Sequence, residues 1–289
     1  MQGSLQGILA INKKAGITSY DVIRDIKRVF RENNVKTKIG HSGTLDPFAE
    51  GMLIVLFGKC TRFSDYFMNM RKTYKGEIIE GIGTDTLDKD GKIIEECEHI
   101  LPQVLEENTQ HFTGKMMQVP PYYSALKHNG KKLYEYAREG ININKPPREI
   151  NVYSLKVENI KDYKYSFSAE VSQGTYVRKL LYDYVKLFNG TCYMTKLVRE
   201  NIGEFSIYSN KCINEITYEN IMLNLISPDE ISWPYVSIEL KDDCVKKLRN
   251  GIRIDTDLKD NQTAILTENG KIFSFGEIKD KQIRTKFFI

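Results

Sequence analysis

The chain has 289 residues, 41% of them hydrophobic and 28% charged, and a formal net charge of +4 at neutral pH. This is the make-up of an ordinary globular chain with enough apolar material for a core, and it excludes extended disorder. The longest unbroken apolar run, residues 52–57, is far short of the ~20 residues of a membrane helix.

Residues 7–12 predict a short buried strand. Thr18 to Asp21 fit a capping box, and Val22, Ile23, Ile26, Val29 and Phe30 recur at helical spacing. That helix carries Arg24, Lys27, Arg28 and Arg31 on its polar side. Gly, Ser, Thr, Asp and Pro break the pattern over 34–51, which predicts a loop. Residues 52–57 read as a buried strand or a helix start, 60–70 as helical and 73–84 as a strand. Residues 85–99 are acidic and turn-rich. Residues 111–128 contain Pro120-Pro121 and are expected to be an extended loop, followed by a short helix over 131–139. Residues 149–160 and 164–173 read as paired strands, with Tyr165, Phe167, Ala169 and Val171 on one face. A helix follows Gly174, with Val177, Leu180, Leu181, Tyr184, Val185 and Phe188 inward. After Trp233-Pro234 the texture changes to a short helix near 244–249 and strand-like pieces broken by Asn269-Gly270 and Gly276. The expected architecture is mixed α/β (α+β) over 1–233, with a small β-rich domain over 234–289.

Charge is uneven. Residues 1–40 hold eight Lys/Arg against three Asp/Glu and residues 111–150 seven against three, whereas 71–110 hold five against ten. Basic stretches interleaved with Tyr fit a polyanion such as nucleic acid, or equally a solvated surface of uneven charge. Several motifs fail on spacing. Gly58-Lys59 has Leu53 where a phosphate loop needs its first glycine, and no Ser or Thr directly after the lysine. Gly81-Ile82-Gly83 has Thr86 at the third glycine position. Asp88-Lys89-Asp90-Gly91 would need carboxylates at Thr86 and Cys97 to be a calcium loop, so it reads as a solvated hairpin turn. The four histidines form no metal pair. Five separated cysteines contain no C-x-x-C, which argues against zinc or a disulfide framework and for a reducing, cytoplasmic setting. No secretory signal is visible. No metal and no cofactor is expected.

One polar loop stands out, Gly40-His41-Ser42-Gly43-Thr44-Leu45-Asp46-Pro47 leading to Glu50-Gly51. Pro47 pushes Asp46 toward an extended conformation, and Gly40, Gly43 and Gly51 permit tight turns and close approach of a ligand. Taken alone, the string is also compatible with a turn in which Asp46 bonds its own backbone. It resembles the G-H-[ST]-G-[TA]-L-D-P signature of the TruB family of tRNA pseudouridine synthases, and four further stretches resemble that family in order. These are residues 13–22, Lys72-Thr73-Tyr74 with Gly83 to Thr86, the long segment 118–140 (QVPPYYSALKHNGKKLYEYAREG), and Gly174 to Arg178 with the later Leu197-Val198-Arg199. Lys14 stands in place of the family's usual Pro, and Val198 in place of the middle Arg of L-R-R. The resemblance spans about residues 1–230, and 234–289 look like the PUA-like domain of bacterial members.

The resemblance implies a pseudouridine synthase fold, with a central, largely antiparallel sheet flanked by helices. It implies conversion of uridine 55 in the tRNA T loop to pseudouridine, without metal or cofactor and without an obligatory protein partner. Asp46 would be the catalytic carboxylate, Arg178 its cationic partner, and Tyr74 the ring stacked on uracil. His41 would sit by the flipped nucleotide, Tyr176 would support the Asp–Arg pair, Leu197 would wall the pocket, and Lys13 would contact substrate. An insertion over about 111–145 would close on the T stem-loop through Lys127, His128, Lys131 and Lys132, with Arg24, Lys27 and Arg28 as further phosphate contacts. The alternatives are a catalytically silent RNA-binding module of the same fold, a guide-RNA-directed synthase, and an unrelated glycosyl-transferring enzyme. A carboxylate at 46 discriminates against the silent module. The long 118–140 segment discriminates against the guide-directed form, and the ordered motifs against the unrelated enzyme.

Overall fold

The computed structural model describes residues 5–141 and 143–289. The chain runs β1 (Gly7–Lys13), α1 (Ser19–Glu32), β2 (Ile39–Ser42), β3 (Glu50–Phe57), α2 (Ser64–Asn69), β4 (Lys72–Glu80), β5 (Ile82–Thr84), β6 (Ile93–Glu96) and α3 (Pro102–Glu107). It continues with β7 (Gly114–Gln118), β8 (Lys127–His128), β9 (Lys131–Lys132), α4 (Leu133–Arg138), β10 (Arg148–Lys161), β11 (Lys164–Val171), α5 (Val177–Lys186), β12 (Cys192–Ile202), β13 (Phe205–Ser206), β14 (Cys212–Ile213) and α6 (Tyr218–Leu223).

Strand periodicity explains the layers. β1 and β3 are apolar on both faces, so both faces are covered. Leu9, Ile11, Leu53, Val55 and Phe57 meet Val22, Ile23, Ile26 and Phe30 of α1. Ile8, Ala10, Met52, Ile54 and Leu56 meet Cys60, Phe63 and Phe67 on the other side. β4 and β11 instead alternate, and their buried residues Tyr74, Ile78, Tyr165, Phe167, Ala169 and Val171 pack with Val177, Leu180, Leu181, Tyr184 and Val185 around α5. The Thr18–Asp21 capping box starts α1 as expected.

The ten-stranded sheet has the order β14-β1-β3-β12-β4-β11-β10-β7, with β2 on β3 and β13 on β12. Only β1–β14 and β3–β12 are parallel, so the sheet is mixed and largely antiparallel. β3 changes neighbour along its length. It pairs with β2 at Ile54 to Phe57 and with β12 at Glu50 and Gly51. The Asp46 loop leaves the sheet at that exchange, which lifts it over the strand ends.

Three expectations are corrected. The stretch 34–51 contains β2, 85–99 contains β6 beside its turns, and 111–128 takes in the end of a 3-10 turn (Thr109–Phe112), β7 and β8. The sequence pattern marks no strand at β12, near the centre of the sheet. Residues 236–288 form β15 (Val236–Glu239), α7 (Asp242–Arg249), β16 (Ile254–Asp255), β17 (Gln262–Glu268), β18 (Lys271–Lys279) and β19 (Gln282–Phe288), a second sheet of order β15-β17-β18-β19-β16. It has its own core around Val245, Leu248, Leu266 and Ile278. An aromatic seam of Phe63, Tyr66, Trp233, Phe275 and Phe287 joins it to the first sheet. Among the described residues no helix is long and apolar enough to cross a membrane.

Candidate active site

The loop from Gly43 to Ala49 is held from three sides. Ser19, at the start of α1, accepts from the Leu45 amide at 2.9 Å and donates back to the Leu45 carbonyl. The Gly16 amide donates to the Pro47 carbonyl at 2.8 Å. At the return into β3, Gly51 has φ 112°, and a Cβ there would lie 2.3 Å from the Arg199 carbonyl oxygen, so only glycine lets the loop close onto β12. Gly43 also has a positive φ of 85°. Gly40 lies within β2 opposite Leu56 and needs no such freedom.

Asp46 is about one-third exposed at the top of this loop. Its Oδ2 accepts from Nε of Arg178 at 2.8 Å. Arg178 is on the first turn of α5 and is 4% exposed. It also donates to the carbonyl of Thr86 and, at 3.1 Å, to that of Tyr123, and its Nη1 lies 3.0 Å from Oδ2 of Asp88. One guanidinium therefore ties together the Asp46 loop, the turn after β5 and the segment after β7. Asp88 is 6% exposed. Burial pushes its carboxyl above the usual aspartate range, and the Arg178 charge opposes that shift.

Two clefts meet at Asp46, Thr44, Leu45 and Ala125. The first, about 370 Å³, is walled by Tyr74, Tyr176, Leu197, Met68, Lys72 and Arg199 among others. The second, about 710 Å³, is lined by His41, Tyr20, Asp88, Arg178, Lys132 and Arg138 among others. Asp46, Tyr74, Tyr176 and Leu197 thus share one cavity, as the motifs implied, while Arg178 and His41 approach from the opposite side. The Tyr176 backbone is clamped by Gln118, which accepts from its amide at 2.9 Å and donates to its carbonyl at 3.2 Å. His41 Nδ1 is buried and has no hydrogen-bond partner among the described residues. Burial, then the Arg199 charge, holds this imidazole below its ordinary pKa and so neutral at pH 7.

Lys13 lines neither of these two clefts. It is 1% exposed, and its ammonium donates to the carbonyls of Ile17 (2.7 Å), Lys14 (3.0 Å) and Pro47 (3.4 Å). It braces the Asp46 loop from beneath, and burial lowers its pKa to about 8 against the opposing charge of Asp46. Lys72 has the same character. It caps the end of α2 through the carbonyls of Phe67, Met68 and Met70, and burial lowers it to about 8 as well. Val198 lines a groove on the opposite face of the sheet from Leu197 and Arg199, so its departure from the L-R-R pattern lies away from the cleft.

The basic candidates are dispersed. Arg24 and Arg28 are exposed on α1 and pair with Asp21 and Asp25, and Lys27 lies over the Tyr20 ring at 5.8 Å. Lys132 lines the second cleft, whereas Lys131 is paired with Glu139 and His128 with Lys145. The side chain of Lys127 lies outside the described residues. Sequence reasoning missed Asp88, Gln118 as a clamp, and Lys72 and Arg199 as buried cations. The family-like stretches did contain Gln118, Lys72 and Arg199, and that resemblance was the available signal.

A family model described as TruB family pseudouridylate synthase (N terminal domain) matches residues 27–177. The tRNA pseudouridine synthase B of Clostridium kluyveri is 36% identical, over 99% of this chain and 100% of its own length. The protein of the same name from Caldanaerobacter subterraneus subsp. tengcongensis is 35% identical, over 98% of this chain and 99% of its own. Among solved structures, a chain of a Cbf5-Nop10-Gar1 complex superposes with a TM-score of 0.71 over 98% of this chain and 84% of its own. At 18% identity that likeness is one of fold.

Proposed function

The chain belongs to the TruB family of pseudouridylate synthases, and from that membership we propose that it converts uridine 55 in the T loop of tRNA to pseudouridine, with Asp46 as the catalytic carboxylate. The C1′–N1 bond breaks, the uracil turns within the cleft, and C5 bonds to C1′. The C5 proton is then lost and N1 gains one, so the reaction is an isomerisation that needs no redox partner.

Breaking the glycosidic bond builds positive charge on the sugar, which a carboxylate at the sugar face stabilises or captures. The observation that carries the reading is the Asp46–Arg178 pair where the two clefts meet. Arg178 takes Oδ2, and Oδ1 has no partner among the described residues, so one oxygen is free to face C1′. Tyr74 supplies a ring for the uracil face, and Leu197 and Tyr176 complete the walls. A neutral His41 suits stacking against RNA in the second cleft better than contact with a phosphate. A uridine inside a folded loop must be flipped out to reach Asp46. Lys132, Arg138 and the exposed cations of α1 would hold the surrounding backbone. Residues 234–289 are read as a PUA-like RNA-binding domain, supported by the basic last turn of α7, Lys246, Lys247 and Arg249.

The test uses tRNA carrying tritium at uridine C5. The wild type should release tritium from position 55, and Asp46→Asn should bind the same tRNA without release. Release by Asp46→Asn at the wild-type rate would remove Asp46 from its role. Tight, salt-dependent binding without release by the wild type would favour a silent RNA-binding protein.

A further inference from the structure

We propose that Arg148 holds a phosphate of the RNA strand next to the target nucleotide, at the lip of the Tyr74 cleft. The inference rests on the uridine-isomerising reading above. A nucleotide cannot enter a cleft without bringing its flanking phosphodiesters, and a phosphate taken from water needs a cation with free donors.

Three cations line this cleft, Lys72, Arg148 and Arg199. Lys72 is 6% exposed and its ammonium is engaged by three carbonyls. Arg199 is 1% exposed, donating from Nε to the Met52 carbonyl at 2.7 Å and from Nη2 to that of Gly43 at 3.1 Å. Both are built into the floor. Arg178 is turned to the other side of Asp46, with its own set of partners.

Arg148 is different. It is the first residue of β10, opposite Gln118 of β7, and half-buried. Among the described residues only the Gly174 carbonyl accepts from its guanidinium, through Nη2. Its Nε is buried with no hydrogen-bond partner, and no acidic side chain among the described residues pairs with it. The guanidinium lies over the Tyr176 ring, 4.7 Å from the centroid. Stacking fixes the plane of the fork, so little freedom remains to be lost when it meets a phosphate. Nε is shut off from the cleft, whereas Nη1 has no partner among the described residues and is not buried as Nε is, so a phosphate oxygen would meet the preoriented fork there. Arg148 is in this sense a positioning residue, because it acts on the strand and leaves the reacting atoms to Asp46.

The test measures binding and turnover of a T-arm RNA by the full-length wild type, Arg148→Ala and Arg148→Lys. The RNA carries either normal phosphates or a neutral methylphosphonate on one side of the target uridine. The wild type should bind one of the methylphosphonate RNAs about 10-fold more weakly than normal RNA. Arg148→Ala should bind normal RNA about 10-fold more weakly, lose that discrimination, and show a salt slope shallower by about 1. Arg148→Lys should recover part of the affinity and the salt slope. Undiminished discrimination in Arg148→Ala would overturn the proposal, as would a fall in kcat alone, since Arg148 would then be only a support for the Tyr176 ring. Binding is read separately from turnover. Failure of the wild type to isomerise uridine would therefore count against the proposed reaction, while the methylphosphonate comparison would still decide Arg148.

Discussion

Nε of Arg178 and Oδ2 of Asp46 lie 2.8 Å apart across 132 positions of sequence. The pair joins the first turn of α5 to the loop between β2 and β3. Because Arg178 is buried and Asp46 is not, the cation is the fixed partner and the carboxylate is the one being aimed. Arg178→Ala should therefore lower kcat by about 100-fold through misplacement of Asp46, with the tRNA dissociation constant nearly unchanged. Single-turnover kinetics beside filter binding separate the two effects. Loss of affinity at unchanged kcat would make Arg178 a phosphate contact instead.

Asp88 secures the other side of the same guanidinium at 3.0 Å. Burial raises its pKa, so it takes up a proton at a higher pH than an exposed aspartate, and that proton ends its charge pairing with Arg178. The native state binds this proton more tightly than the unfolded chain. Its contribution to stability thus falls as pH rises through the window just above the ordinary aspartate range. Activity has the opposite sense and should fall as pH drops into that window. Asp88→Asn should lower kcat and flatten this acidic limb. A variant whose pH–rate profile overlays the wild type would show that Asp88 does not govern the limb.

The resemblance to the TruB motifs made Asp46, Tyr74, Tyr176 and Leu197 legible as neighbours, since each lies in a stretch that matches that family. Asp88 was not legible, because Asp-Lys-Asp-Gly is good turn chemistry and its partner is 90 positions away. Only the fold brings the two together. β12 was hidden for a related reason. Its buried face runs through Cys192, Met194 and Leu197 and then reaches Arg199, and a register shift between Met194 and Lys196 breaks the alternation. A charged residue on the inner face erases the period that marks a strand. The surroundings of Lys13 are hidden in the opposite way. A lysine in a basic, motif-bearing loop reads as a ligand contact, but three backbone carbonyls close enough to bury it are invisible in one dimension.

Lys72 offers a test of that buried class. Burial lowers its pKa from 10.5 to about 8. Between those values the unfolded chain keeps a proton that the native chain has released, so this group's contribution to stability rises with pH across the window. Lys72→Met removes the titration and keeps the apolar stem. The stability of the wild type relative to Lys72→Met should therefore increase between pH 8 and 10.5, by on the order of 3 kcal/mol at most. Denaturant titrations at matched ionic strength measure it, and a flat difference would mean that Lys72 stays charged in the folded protein.

Lys131 and Lys132 are neighbours with different surroundings, and that difference sets their expected effect on RNA. The Lys131 ammonium is 2.5 Å from a Glu139 oxygen and 4.7 Å from the centre of the Tyr136 ring, so much of its charge is already answered within the protein. Lys132 lines the second cleft beside Arg138, against the Tyr134 ring at 5.4 Å. An unanswered cation contributes to phosphate binding through counterion release, which a neutralised one cannot match. Lys132→Ala should weaken tRNA binding several-fold and reduce the salt slope by about 1. Lys131→Ala should change affinity less, and Glu139→Gln should strengthen binding by freeing the Lys131 charge. If Lys131→Ala proved the more damaging of the two, the Glu139 pair must open on the RNA, and the strand would run along the outer side of β9 rather than through the second cleft.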